Sequence, residues 1–149
     1  MDRLMLAALF CALTVQPLLA RQDDPSGAWQ VTAESGIKRN TDGTVEITGT
    51  QQFAITLRVA DGKVTGQWGP QALDVSGTWH DGKLDLASAW IDMPGTRRGQ
   101  AITVRMRVLV KGSFDKEALG GTYTFERESN PATPVLLKWR GRRRTSSQP

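Results

Sequence analysis

Side chains that most often do chemistry are scarce in this chain of 149 residues, which has one histidine (His80), one cysteine (Cys11) and one tyrosine (Tyr123). A zinc site needs several nitrogen, sulfur or carboxylate ligands converging on one point, and an acyl-transfer triad needs a nucleophile beside a base. A single imidazole supplies neither readily. His80 directly precedes the turn dipeptide Asp81-Gly82 and has the outward parity of its segment, so it reads as a solvated turn residue; Asp74 and Asp85 are also outward. Gly120-Gly121 opens a predicted strand with no helix after it, which excludes the usual phosphate-binding loop. No metal and no cofactor are predicted. What remains is binding chemistry: the large rings Trp68, Trp90 and Phe125 at inward positions, with Ser88 and Gln51 as inward polar groups. A buried hydroxyl or amide demands a partner, either a ligand or an internal hydrogen bond.

The elements that position these residues follow from a period of two. Trp29, Val31, Ala33 and Ile37 share one parity, which Val45, Ile47, Phe53, Ile55, Leu57 and Val59 continue, with polar residues between them. The same face runs through Val64 and Trp68, Val75 and Trp79, Leu84, Leu86 and Trp90, then Val104 to Val110, Tyr123 and Phe125, and Leu137 and Trp139. Asp61-Gly62 and Asp81-Gly82 accept the positive φ angles of a type I′ hairpin, and predict the pairs Val59 with Val64 and Trp79 with Leu84. The predicted strands are 27–39, 44–60, 63–69, 72–80, 83–91, 101–111, 119–127 and 134–141. Antiparallel strands with short neighbour connections predict an all-β fold, an eight-stranded up-and-down barrel that leaves no free edge. The second strand is too long for a barrel wall, so a bend or bulge is expected near Gly49, with the 34–49 hairpin projecting.

Up-and-down order sorts the turns between two ends. Turns 61–62, 81–82 and 112–118 close one end, into which Trp29, Trp79 and Trp139 are expected to point as a structural plug. The 40–43 tip, 69–72, the 91–100 loop and 127–133 form the other end, with Trp68, Trp90 and Phe125 facing inward. Glycine recurs two positions before a ring at Gly27, Gly66, Gly77 and Gly121, which reads as packing.

Both ends of the chain differ from this middle. Residues 1–20 combine an early arginine, the apolar run Leu4 to Val15 and a small residue at Ala20, which reads as a secretory signal peptide. The run is shorter than the roughly 20 apolar residues of a spanning helix. Cleavage would remove Cys11, leaving a barrel domain at 27–141 without a disulfide, after a leader at 21–26. The two signs of charge balance between Arg21 and Trp139, so the net +4 lies in Arg140, Arg142, Arg143 and Arg144. Residues 142–149 read as a basic, disordered tail, and these arginines as a contact for an anionic envelope surface; export disfavours nucleic acid.

Gly27-Ala28-Trp29 resembles the G-x-W signature of lipocalins, and the stretch from Ala60 to Trp90 is similar in rhythm to avidin-type strands. Together they resemble the calycin barrels. The lipocalin likeness implies a closed-end Trp29 under a basic residue from near the last strand, with Lys138, Arg140 or Arg142 as suppliers. No counterpart of the polar groups that hold biotin is present, so biotin is not expected. The function expected is a periplasmic or secreted, non-catalytic barrel taking a small apolar or aromatic ligand at Trp68, Trp90, Phe125, Ser88 and Gln51. The runner-up is an envelope protein-interaction or inhibitor module using the 34–49 hairpin and the 91–100 loop; an enzyme ranks third.

Overall fold

The computed structural model describes residues 24–129 and 134–145. The signal segment, Cys11, the start of the leader and the end of the tail lie outside the described residues. The strands are β1 (Gly27–Arg39), β2 (Val45–Ala60), β3 (Lys63–Trp68), β4 (Leu73–His80), β5 (Lys83–Ser88), β6 (Ile91–Arg97), β7 (Gln100–Asp115), β8 (Ala118–Arg127) and β9 (Leu137–Arg143). All pairings are antiparallel; β5 bonds to β7 and β9 to β1, which closes eight of the strands into a barrel. β6 is additional and pairs with β7 alone. No helix among the described residues is long and apolar enough to cross a membrane.

The turn chemistry acts as expected. Asp61-Gly62 and Asp81-Gly82 both take positive φ, and Val59 pairs with Val64 and Trp79 with Leu84. Arg98-Gly99 does the same at φ 50° and 77°, which turns the expected 91–100 loop into a hairpin of β6 and β7.

That hairpin holds the main departure from the expected parity. β5 pairs with β7 up to Ala87 opposite Leu109, and β6 resumes at Ile91 opposite Met106. Ser88, Ala89 and Trp90 thus stand against Val108 and Arg107 alone, so the β5–β6 line carries one extra residue, a β-bulge. Because side chains alternate, one extra residue exchanges the two faces beyond it. Leu84, Leu86 and Ser88 face inward before the bulge; Ile91, Met93 and Gly95 take the half-buried positions after it. The Ser88 hydroxyl clamps the bulge, accepting from Val108 N at 3.0 Å and donating to Ala89 O at 2.8 Å.

The β1–β2 ribbon also projects, but without the bulge expected near Gly49. Its register is unbroken from Gly27 opposite Leu57 to Arg39 opposite Val45, and only the Gly36 and Thr48 pair drops out. Gly36 has φ 74°, and Thr48 Oγ1 fills the place where a Cβ would stand, so the break in regularity near Gly49 falls at Gly36 of β1. β9 leaves β1 after Ala33, so the ribbon beyond rises roughly 20 Å at about 3.3 Å per residue.

The core runs from Trp29, Val31 and Leu119 at the closed end to Phe53, Trp68 and Tyr123 nearer the mouth. Its rings form two groups rather than the expected plug of Trp29, Trp79 and Trp139. At the closed end Phe114 lies 5.8 Å from Trp29 and 5.7 Å from Trp79. Trp139 instead packs edge-on against Trp68 at 5.0 Å. The reason is strand length: β9 continues to Arg143, which pairs with Trp29, so Trp139 sits opposite Ala33, well inside the barrel. The glycines serve close backbone approach. A Cβ at Gly77 would collide with the Asp85 carbonyl oxygen, and one at Gly121 with that of Lys111, while Gly112 lies under the Trp139 ring.

The extension of β9 also corrects the tail, since Arg142 and Arg143 are strand residues and Arg144 N still donates to Ala28 O at 2.8 Å. Arg143, not Lys138, Arg140 or Arg142, covers Trp29, its guanidinium 4.5 Å from the ring centroid. The same group donates to the carbonyls of Ser26 and Asp24, and Trp29 Nε1 donates to Pro25 O at 2.9 Å. Arg143 therefore ties the entering chain to the closed end. Arg143→Ala is expected to lower unfolding stability by about 1–3 kcal/mol in urea titrations; an unchanged midpoint would show that the lid is ornamental.

Candidate ligand-binding site

At the open end the wall heights are unequal. The β1–β2 and β6–β7 ribbons rise on opposite sides of the barrel, while the β3–β4 turn at 69–72 stays low between them. The low side opens into a cavity of about 270 Å³. Trp68 forms its floor, Phe125 and Tyr123 one wall, Met93 and Met106 another, and Leu73 and Pro70 the low rim. At about 30 Å³ per water the space equals roughly nine waters, enough for one aromatic ring or a short alkyl chain.

The strands place these groups simply. Trp68 ends β3 and is buried against Phe53 at 5.2 Å and Tyr123 at 5.6 Å, so its position is set from several sides. Phe125 has the same parity as Tyr123, two steps nearer the mouth, and is 41% exposed. It is a ring kept at the surface by the end of its strand.

Gln51 supplies the polar group of the wall. Its amide Nε2 donates to Tyr123 OH at 3.4 Å, a long bond that leaves the amide weakly held. The Tyr123 hydroxyl in turn donates to Glu34 O. Burial pushes the Tyr123 phenol up from its ordinary pKa, with the Gln51 hydrogen bond opposing and the Glu34 charge adding. The phenol stays neutral near pH 7 and remains a donor.

Of the residues expected at this site, Trp68, Phe125 and Gln51 come together and Trp90 and Ser88 do not. Trp90 sits on the bulge, where strand alternation is lost. Arg107, whose neighbour Val108 faces the core, lies 4.7 Å from the Trp90 ring centroid and also pairs with Glu126. Trp90 is thereby turned to the outer face. Ser88 is spent on the bulge. Ile91 stands opposite Met106, where unbroken alternation would set Trp90, and Met93 two steps on lines the cavity. Only a bulge signal in the sequence would have revealed Met93, and Ser88-Ala89-Trp90 carries no glycine or proline to announce one, whereas Met106 keeps the inward parity of Val108 and Val110.

The arginines expected to meet an anionic surface divide between two faces. Arg140 and Arg142 alternate with Gly141 on the outer face of β9, in line with Lys138, and Arg140 lies 3.8 Å from Asp115. Arg143 is committed to Trp29, and Arg144 follows the strand. Among the described residues no group of three histidine, cysteine or acidic side chains is arranged to hold a metal ion.

The assignment of Ser88 to structure has a direct check. Ser88→Ala leaves Val108 N–H without its buried acceptor and is expected to cost about 1–3 kcal/mol of stability, with affinity for any ligand of the mouth unchanged in the folded fraction; weakened binding at full stability would return Ser88 to the site. No protein-family model matches this chain, and neither does any curated protein or solved structure.

Proposed function

We propose that this protein is an exported, non-catalytic binding barrel that takes a small apolar or aromatic molecule in its mouth. The observation that carries the reading is the 270 Å³ cavity walled by Trp68, Met93, Met106 and Phe125, with Gln51 as its polar group. Apolar side chains with a few placed polar groups are what small-molecule sites are made of. An eight-stranded barrel is also just wide enough either to be filled by its own side chains or to hold one small ligand. Trp29 beneath Arg143 at the closed end supports a calycin-like, and within that a lipocalin-like, assignment. The signal-like segment 1–20 supports a periplasmic or secreted location.

A second reading, a protein-interaction module, is favoured by one observation. Ile37, Val45 and Ile102 on the two projecting ribbons are 43%, 38% and 37% exposed, more apolar surface than a solvated ribbon needs. Shortening the β1–β2 ribbon to a tight turn at Glu34 and Thr50 separates the two readings, because it removes a partner-gripping arm but leaves the cavity residues in place.

The expected result is saturable, one-site binding of an apolar reporter such as N-phenyl-1-naphthylamine, with quenched tryptophan emission. Met106→Trp, which fills the cavity, should weaken it at least tenfold. An absence of saturable binding, or binding indifferent to Met106→Trp, would end the small-ligand reading.

A further inference from the structure

On the outer face near the mouth, three cations each have a carboxylate within 4 Å: Lys38 with Glu46 at 3.8 Å, Arg105 with Glu128 at 3.9 Å, and Arg107 with Glu126. The arginines of the inner face have no such partner among the described residues. Arg127 continues the inward parity of Tyr123 and Phe125, and it pairs across the sheet with Met106, a cavity residue, so both side chains leave the sheet on the same side. Arg39 pairs with Val45, in the alternation that holds Ile47 against the core and Gln51 at the cavity. Arg97 continues the alternation of Met93 and Gly95 at the tip of the opposite ribbon.

Arg39 and Arg127 also lie at matching heights. Ala33 pairs with Trp139, and Trp139 with Gly121, which puts these three residues on one row; equal steps up β1 and β8 from it reach Arg39 and Arg127. Neither of these arginines, nor Arg97, has a carboxylate within 4 Å among the described residues. No acidic residue occupies an inward strand position at this end. The order outward from the floor is therefore aromatic ring, thioether and aliphatic side chains, then guanidinium groups.

From this layering we infer that the ligand is an anionic amphiphile. Its apolar body lies in the cavity and against the inner faces of the ribbons, and its carboxylate or phosphate head meets Arg127 and Arg39. The inference rests on the small-ligand reading and narrows it to a class. A neutral apolar body satisfies the cavity but leaves the inward arginines without a counter-charge. An acidic head supplies that charge, and guanidinium groups bind both carboxylates and phosphates by paired hydrogen bonds.

Titrations with three probes that share one chain, decanol, decanoate and decyl phosphate, separate this inference from the reading beneath it. Decanoate or decyl phosphate should bind roughly three- to tenfold more tightly than decanol, the scale of partly exposed charge pairs, and high salt should shrink the difference. The tighter of the two names the head group. Arg39→Gln with Arg127→Gln should abolish the preference while leaving decanol affinity and the unfolding midpoint unchanged, since both residues are exposed. Equal binding of all three probes, or a preference that survives the double substitution, overturns the anionic class and leaves the apolar site standing. Failure of all three probes overturns both.

Discussion

The mouth of this barrel depends on one extra residue in the line formed by β5 and β6. Had alternation run unbroken from Leu84 and Leu86 through Ser88, Trp90 would point into the barrel at the height of the present cavity, and an indole would occupy much of a space this small. The bulge turns that ring outward onto Arg107, sets Ile91 opposite Met106 in its place and gives Met93 the inward parity that lines the cavity. The shift keeps a rigid, bulky ring out of the cavity and leaves flexible thioethers, Met93 and Met106, in its wall. A bulge in a buried strand strands a backbone donor. Here Val108 N–H is that donor and the Ser88 hydroxyl satisfies it, so the opening is stabilised by the residue that parity alone would place among the ligand contacts.

The two ends of the barrel divide close packing from open space. The closed end has minimal turns at 61–62 and 81–82, the Trp29, Phe114 and Trp79 group, and Arg143 as a lid joined to the entering chain. Each fully buried ring removes roughly 200 Å² from water, about 5 kcal/mol before ordering costs. Concentrating that gain at the closed end and around Trp139 and Trp68 allows the other end to remain incompletely packed. Two-stranded ribbons are marginal on their own in water, and both ribbons here are continuous with barrel strands that anchor them.

Much of the fold was legible because independent signals agreed. Period-two alternation and the Asp-Gly turns both demanded the Val59–Val64 and Trp79–Leu84 pairs, and both pairs form. Trp68, Phe125 and Gln51 were legible at the site for the same reason, since no register change intervenes between their turns and their positions. Trp90 was misplaced because a bulge of ordinary residues leaves no mark in composition. Trp139 was assigned to the wrong group, and the arginines after it to a loose tail, because charge and polarity suggested that the last strand ended early. Backbone pairing to β1 and the stacking of Arg143 on Trp29 outweigh that local preference, a tertiary effect that no window of sequence contains.

The proposed binding needs an open, apolar space bounded by Trp68, Met106 and Phe125. A crystal structure determined under xenon pressure measures it most directly, because xenon enters apolar cavities without needing a polar partner. A xenon atom is expected between these three side chains, with the Trp90 ring outside against Arg107. A mouth closed by mutual contact of the three, or by Trp90 turned inward, with no xenon bound, would rule the open site out.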